Sequence, residues 1–130
     1  MKKFSFDYDE TLSEYDVQEF AKELIAKGYD VWVVTSRCDD HWPDDKDWSP
    51  DISGNRDLYF TVAPLGIPHE KVLFTNGSLK HRKLVEHGFN FHLDNLVEEV
   101  EGALRNGIDS ALFGYYPDEF EKFIEWKNKF

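Results

Sequence analysis

"VWVVT", residues 31 to 35, is a run of four apolar residues, three of them β-branched, that closes on a hydroxyl. Such a uniformly apolar run fits a strand buried on both faces, as in a parallel sheet with helices packed against each side. The chain on either side agrees. Upstream, Phe4 and Phe6 alternate with polar neighbours over residues 2 to 7 and predict a strand, and Val17, Phe20, Ala21, Leu24 and Ile25 then recur at helical spacing until Gly28. Downstream, the pattern predicts a helix over 56–65, a strand over 71–74, a helix over 78–87 closed by Gly88 and a strand over 89–93. It continues with a helix over 96–106 closed by Gly107, a strand over 110–113 and a helix opened by Pro117. In that last helix Phe120, Phe123 and Ile124 form the apolar stripe, while Asp118 and Glu119 at its start and Lys127 and Lys129 at its end suit the helix dipole. Strands and helices alternate throughout. This order predicts a three-layer α/β/α sandwich around a five-stranded parallel, Rossmann-like sheet, whose ligands bind outside the carboxyl ends of the strands.

Composition sets the setting. The 130 residues suit one domain, and 41% hydrophobic with 16% aromatic content suffices for a core. The single cysteine, Cys38, excludes an internal disulfide, and no run approaches the roughly 18 apolar residues of a membrane span or a secretory signal. A cytoplasmic protein away from membranes is the expectation. A formal net charge of −11 repels polyanions and argues against duplex nucleic acid as a partner. The biased stretch Cys38 to Asn55, rich in Asp, Pro and Trp, lies between periodic segments and reads as a long loop inserted in that domain, functional or mobile.

Polar groups collect at the predicted strand ends. Asp7 ends the first strand and Asp9 and Thr11 follow it; Thr35 and Ser36 end the second; Asp94 and Asn95 end the fourth; and Lys80 starts the helix before that fourth strand. In this order the residues resemble the haloacid dehalogenase superfamily of phosphohydrolases, over nearly the whole chain. Asp7, Asp9 and Thr11 match the first motif, "VWVVT" with Thr35 the second, and Lys80, fourteen residues ahead of Asp94, the third. The fourth motif, a pair of acids, is met by Asp94 alone, followed by Asn95 and, a helical turn on, by Glu98. Either can complete an outer metal shell there.

The resemblance implies a chemistry for the crowded acids. A phosphomonoester dianion repels a carboxylate nucleophile, so a hard divalent cation, Mg²⁺, is expected between them. Asp7 is then the nucleophile that forms an aspartyl-phosphate and one metal ligand. Asp9 is expected to bind the metal through its backbone carbonyl and to serve as general acid and base through its side chain. Asp94 completes the metal ligands, and Lys80 pairs with the nucleophile and the phosphoryl oxygens. Thr35, with Ser36 and Arg37 beside it, is expected to bind the transferring group or the leaving group. The predicted activity is Mg²⁺-dependent phosphomonoester hydrolysis. Two alternatives share these motifs: phosphoryl transfer to an acceptor other than water, and a non-catalytic phosphate- or metal-binding module.

Other readings are narrower. A receiver domain also combines acids, a Thr or Ser and a Lys, but places its acceptor aspartate at the end of the third strand, where this chain has Thr75 and Asn76. None of the five histidines has zinc-site spacing. Structural roles are the expectation for all five, with support of Asp94, two residues on along the same strand face, the lesser alternative for His92. There is no room after Thr11 for a large cap, so the site admits bulky phosphorylated small molecules, nucleotides among them, with Trp42 and Trp48 either stacking on a base or packing on the body. The sequence sets no oligomeric state.

Overall fold

The computed structural model describes residues 1–130. Its strands are β1 (Lys3–Phe6), β2 (Asp30–Thr35), β3 (Val72–Phe74), β4 (Phe91–Asp94) and β5 (Asp109–Leu112). Its helices are α1 (Tyr15–Ala26), α2 (Arg56–Leu65), α3 (His81–Glu86), α4 (Val97–Arg105) and α5 (Pro117–Lys127). All strand pairs are parallel, in the order β3-β2-β1-β4-β5. Successive strands run outward from β1 to β3, and the chain then crosses to the other side of β1 to lay down β4. A crevice therefore opens at the carboxyl ends of β1 and β4, where adjacent connections leave in opposite directions.

The alternation within each strand sorts side chains between two helical layers. Phe4 and Phe6 of β1 and Val31 and Val33 of β2 join the larger core with Val17, Phe20 and Leu24 of α1, Leu58 and Val62 of α2 and Phe123 of α5. Val34 of β2 packs instead with Leu84 of α3, Ala103 of α4, Phe89 and Ile108. Thus α1, α2 and α5 cover one face of the sheet and α3 and α4 the other. Phe4 is a hub of the first layer, with its ring 4.9 Å from Phe6, 5.5 Å from Phe20 and 5.2 Å from Phe130. These are offset and edge-on contacts, the geometries that the aromatic quadrupole favours.

Strand and helix ends fall within one or two residues of the pattern, β4 starting at Phe91 instead of residue 89, apart from one larger shift. Helix α3 begins at His81, three residues later than the pattern predicts, because Asn76 and Gly77 adopt left-handed backbone (φ 53° and 87°) and the Thr75 hydroxyl donates to the Ser78 carbonyl at 2.6 Å. Residues 75–78 are thereby committed to a turn. The long loop is closed at its neck. Asp40 accepts hydrogen bonds from the Ser53 hydroxyl at 2.7 Å, the Gly54 N–H at 2.6 Å and the Trp48 indole at 3.4 Å, while Asn55 Nδ2 donates to the Cys38 carbonyl at 2.9 Å. No helix is long and apolar enough to cross a membrane.

Candidate active site

Asp7 continues β1 by one residue, its N–H donating to the Leu93 carbonyl of β4 at 2.9 Å. The chain then turns back sharply. Leu12 N–H donates to the Asp7 carbonyl at 3.0 Å, and Glu10 takes a left-handed conformation (φ 58°) whose N–H is accepted by Ser13 Oγ at 3.0 Å. A non-glycine residue there costs roughly 1–2 kcal/mol, and the turn it permits brings Thr11 Oγ1 to 3.3 Å from Asp7 Oδ2. The spacing of Asp7, Asp9 and Thr11 thus corresponds to one compact turn at the mouth of the central strand.

Lys80 is the centre of the charged cluster. Only 1% exposed, it donates to Asp7 Oδ1 at 3.0 Å and to Asp94 Oδ2 at 2.7 Å, and its ammonium lies 3.4 Å from Glu99 Oε2. Glu99 Oε1 also accepts the Lys80 backbone N–H at 3.0 Å. One carboxylate of α4 therefore holds both the backbone and the tip of the lysine. Burial alone would lower the Lys80 ammonium, but the charges of Asp7 and Asp94 outweigh it and raise it. Burial, and next the charge of Asp94, push Asp7 up to about 6 against the pull of Lys80. Burial also acts upward on Asp94, yet the hydrogen bond from His92 and the Lys80 ammonium hold it below the usual carboxylate range.

His92 supports Asp94, the alternative that the sequence ranked below a purely structural role. Its Nε2 lies 2.8 Å from Asp94 Oδ2 and its Nδ1 2.7 Å from Ser5 Oγ, all three residues being sealed from solvent. Ser5 is inside the sheet, so this is an internal support and not an exposed nucleophile. The other oxygen of Asp94 accepts the Leu96 N–H at 3.1 Å, in the turn that leads into α4. Asn95 donates to Glu10 at 2.8 Å, and Glu98 is exposed. The acid that reaches the cluster from α4 is its neighbour Glu99. The signal for it lay in periodicity: Glu99 shares the buried stripe with Val100 and Ala103, and a carboxylate there needs a buried partner.

Thr35 ends β2 fully buried, its Oγ1 accepting the Arg37 N–H at 3.2 Å, while Ser36 is exposed and its carbonyl accepts the Gly77 N–H at 2.7 Å. Arg37 turns to the rim. Its Nε and Nη2 reach the two oxygens of Asp9 at 2.9 and 2.7 Å, and its Nη1 and Nη2 those of Asp57 at 2.8 and 2.9 Å. The guanidinium also lies 4.9 Å from the Tyr8 ring centre and 3.5 Å from Asn55 Oδ1. Hydrogen bonds to Asp57 and Asp9 hold the Arg37 guanidinium above its ordinary range. Asp9, expected to bind through its backbone and work through its side chain, therefore presents a carboxylate gripped by Arg37.

No three His, Cys, Asp or Glu side chains converge into a ready-made metal cage. A hard divalent cation that keeps several waters needs only one or two carboxylates besides phosphate oxygens. Asp7 and Asp94, bridged by Lys80 at neighbouring strand ends, are such a pair. With Glu99 they set three buried carboxylates against one ammonium, and a cation beside Asp7 would offset the burial and the Asp94 repulsion that together lift its carboxyl. The donor set fits. Beside the cluster, a cavity of about 460 Å³ is lined by Glu10, Glu14, Asn95, Tyr115 and Glu119 among others.

No family model matches the chain, and no curated protein sequence does. Among solved structures, an uncharacterized protein from Corynebacterium glutamicum superposes with a TM-score of 0.58 at 16% identity, the match covering 98% of this chain and 96% of that one. A hypothetical protein from Xanthomonas campestris gives a TM-score of 0.50 at 16% identity, over 94% of this chain and 69% of that one. At this identity the likeness shows the α/β fold.

Proposed function

We propose that the chain is a Mg²⁺-dependent phosphomonoester hydrolase of the haloacid dehalogenase type, acting through an aspartyl-phosphate. The observation that carries this reading is the position of Asp7, whose carboxylate stands at the carboxyl end of the central strand 3.0 Å from the buried Lys80 ammonium. With its carboxyl at about 6, Asp7 is ionised at neutral pH and available as a nucleophile. In the first half-reaction an Asp7 oxygen attacks phosphorus, the bond to the leaving oxygen breaks, and Asp9, which enters the cycle in its acid form, delivers its proton to that oxygen and is left as a carboxylate. In the second, the Asp9 carboxylate takes a proton from water, the water oxygen attacks phosphorus, and the acyl-phosphate bond breaks to regenerate Asp7 and release phosphate. Lys80 balances charge on the phosphoryl oxygens, and the Thr35 hydroxyl, whose own proton is directed to no group within the protein, donates to one of them.

Asp7, Asp94 and the Asp9 carbonyl would hold Mg²⁺, which supplies charge neutralisation between nucleophile and phosphate. The loop 38–55 is the only insertion near the strand ends, which favours leaving groups too bulky for a closed chamber, such as nucleotides or phosphorylated chain ends. A screen of nucleotides, sugar phosphates, phosphopeptides and an aryl phosphate, with Mg²⁺ and with chelator, tests the reading. Release of inorganic phosphate in plain buffer, abolished by chelator, is expected, and it separates hydrolysis from transfer to another acceptor. Activity that persists in excess EDTA would remove the metal from the proposal, and failure to hydrolyse every substrate class would overturn it.

A further inference from the structure

We infer that Arg37 and Asp57 form a clamp that positions the Asp9 carboxylate for proton transfer, so that Arg37 is a positioning residue and not a phosphate contact. The inference rests on the hydrolase reading and assigns Arg37 a different task from the one its place after Thr35 suggests. A guanidinium carries five N–H donors, and here each has an acceptor. Nε and one Nη2 proton go to Asp9, the other Nη2 proton and one of Nη1 to Asp57, and the last of Nη1 to Asn55 Oδ1 at 3.5 Å. No donor is left for a phosphoryl oxygen. The arginine is itself immobilised. Asp57 grips its far edge from the first turn of α2, and the Tyr8 ring lies 4.9 Å beneath it, with the Tyr8 hydroxyl 3.0 Å from Thr61 Oγ1 on the same helix.

Asp9 needs such a hold. Its side chain is 56% exposed on a short turn with no other hydrogen-bond partner, and a free carboxylate there would sample several rotamers. Two-pronged pairing fixes the plane of the carboxylate as well as its place, which a single point charge cannot do. Helix α2 thereby sets the reach of a proton-transfer group on the β1 turn.

The test compares Asp57→Ala, Arg37→Lys and wild type on an alkyl phosphate and on 4-nitrophenyl phosphate, reading kcat/KM, which reports the steps through departure of the leaving group. A clamp predicts that both variants lose about 10- to 100-fold on the alkyl ester, a share of the 10²–10⁴ that proton transfer supplies. The nitrophenyl ester, whose leaving oxygen needs no proton, is spared. If Arg37 instead binds phosphate, Asp57→Ala releases it for the substrate and kcat/KM rises on both esters, which overturns the inference. So does an equal loss on the two esters. A second measurement is independent of turnover: the Arg37 Nε and Nη proton signals in NMR should be resolved by restricted rotation in the wild type and averaged in Asp57→Ala. Averaged signals in the wild type would also overturn the clamp. A wild type with rigid Arg37 signals that hydrolyses neither ester would overturn the hydrolase reading and the proton-transfer role with it, an outcome distinct from activity without leaving-group dependence.

Discussion

The Lys80 ammonium lies 2.7 Å from Asp94 Oδ2 with both residues sealed from solvent, and it is the only Lys or Arg cation in contact with Asp7, Asp94 and Glu99. Removing one partner of a buried ion pair leaves charge uncompensated and costs about 3–5 kcal/mol. Lys80→Met should therefore lower the urea midpoint at neutral pH strongly, and the loss should shrink in acid as the carboxylates protonate. A loss below about 1 kcal/mol, the range of a surface pair, would mean that water reaches these charges.

Asp7→Asn separates chemistry from stability. Lifting the Asp7 carboxyl from 3.8 to about 6 means that the folded protein binds its proton more tightly than the unfolded chain. The sign follows: this stability is fully present below the unfolded value and is lost as pH rises through the folded one. At about 1.4 kcal/mol per unit, Asp7→Asn should be about 2–3 kcal/mol more stable than wild type near pH 8 without divalent cations. The difference should be mostly gone near pH 4, roughly the unfolded value, and should disappear below it. Denaturation curves at both pH values check this, and the same variant should show no turnover. A variant less stable than wild type at the higher pH would show that Asp7 is favourably ionised in the fold.

The two neighbouring glutamates of α4 should part company. Glu99→Ala strips the acceptor from the buried Lys80 N–H and should cost about 1–3 kcal/mol. The exposed Glu98→Ala should change stability by no more than about 0.5 kcal/mol. Equal effects by chemical denaturation would contradict the Glu99–Lys80 contact.

The tryptophans of the long loop are also distinct. Trp48 stacks on His41 at 4.0 Å, meets Tyr59 edge-on at 5.8 Å and donates to Asp40, so it packs on the body. Trp48→Ala should cost about 1–3 kcal/mol, below the cost of a fully buried aromatic. Trp42 is 72% exposed. Trp42→Ala should leave stability within about 0.5 kcal/mol and, under the proposed function, raise KM for bulky substrates while sparing kcat. A collapse of kcat would place a catalytic group in the loop.

Much of this molecule is legible in one dimension because the governing patterns are local. The apolar run at 31–34 needs two covered faces wherever it lies, and Gly28, Gly88 and Gly107 end helices through backbone conformations set by their own residues. Strand and helix alternation then delivers Asp7, Thr35 and Asp94 to one end of the sheet. Their place at strand ends follows from the chain order alone. The largest boundary shift, the delayed start of α3, comes where the Thr75 hydroxyl commits the backbone elsewhere.

Tertiary structure decided which charge meets which. Lys80 reaches Asp7 across 73 residues and Glu99 across 19, while Arg37 reaches Asp9 across 28 and Asp57 across 20. A buried or desolvated charge takes whichever opposite charge the packing of helices brings within about 3 Å, and no local pattern encodes that choice. The stripe of α4 shows why. Glu98 and Glu99 are equivalent as sequence neighbours, yet a step of about 100° around the helix, set by 3.6 residues per turn, turns one to water and the other to the Lys80 ammonium. In the same way, the sequence places Arg37 beside Thr35 for a transferring or leaving group, and only the packing of α2 against the β1 turn decides that its protein partners are Asp57 and Asp9.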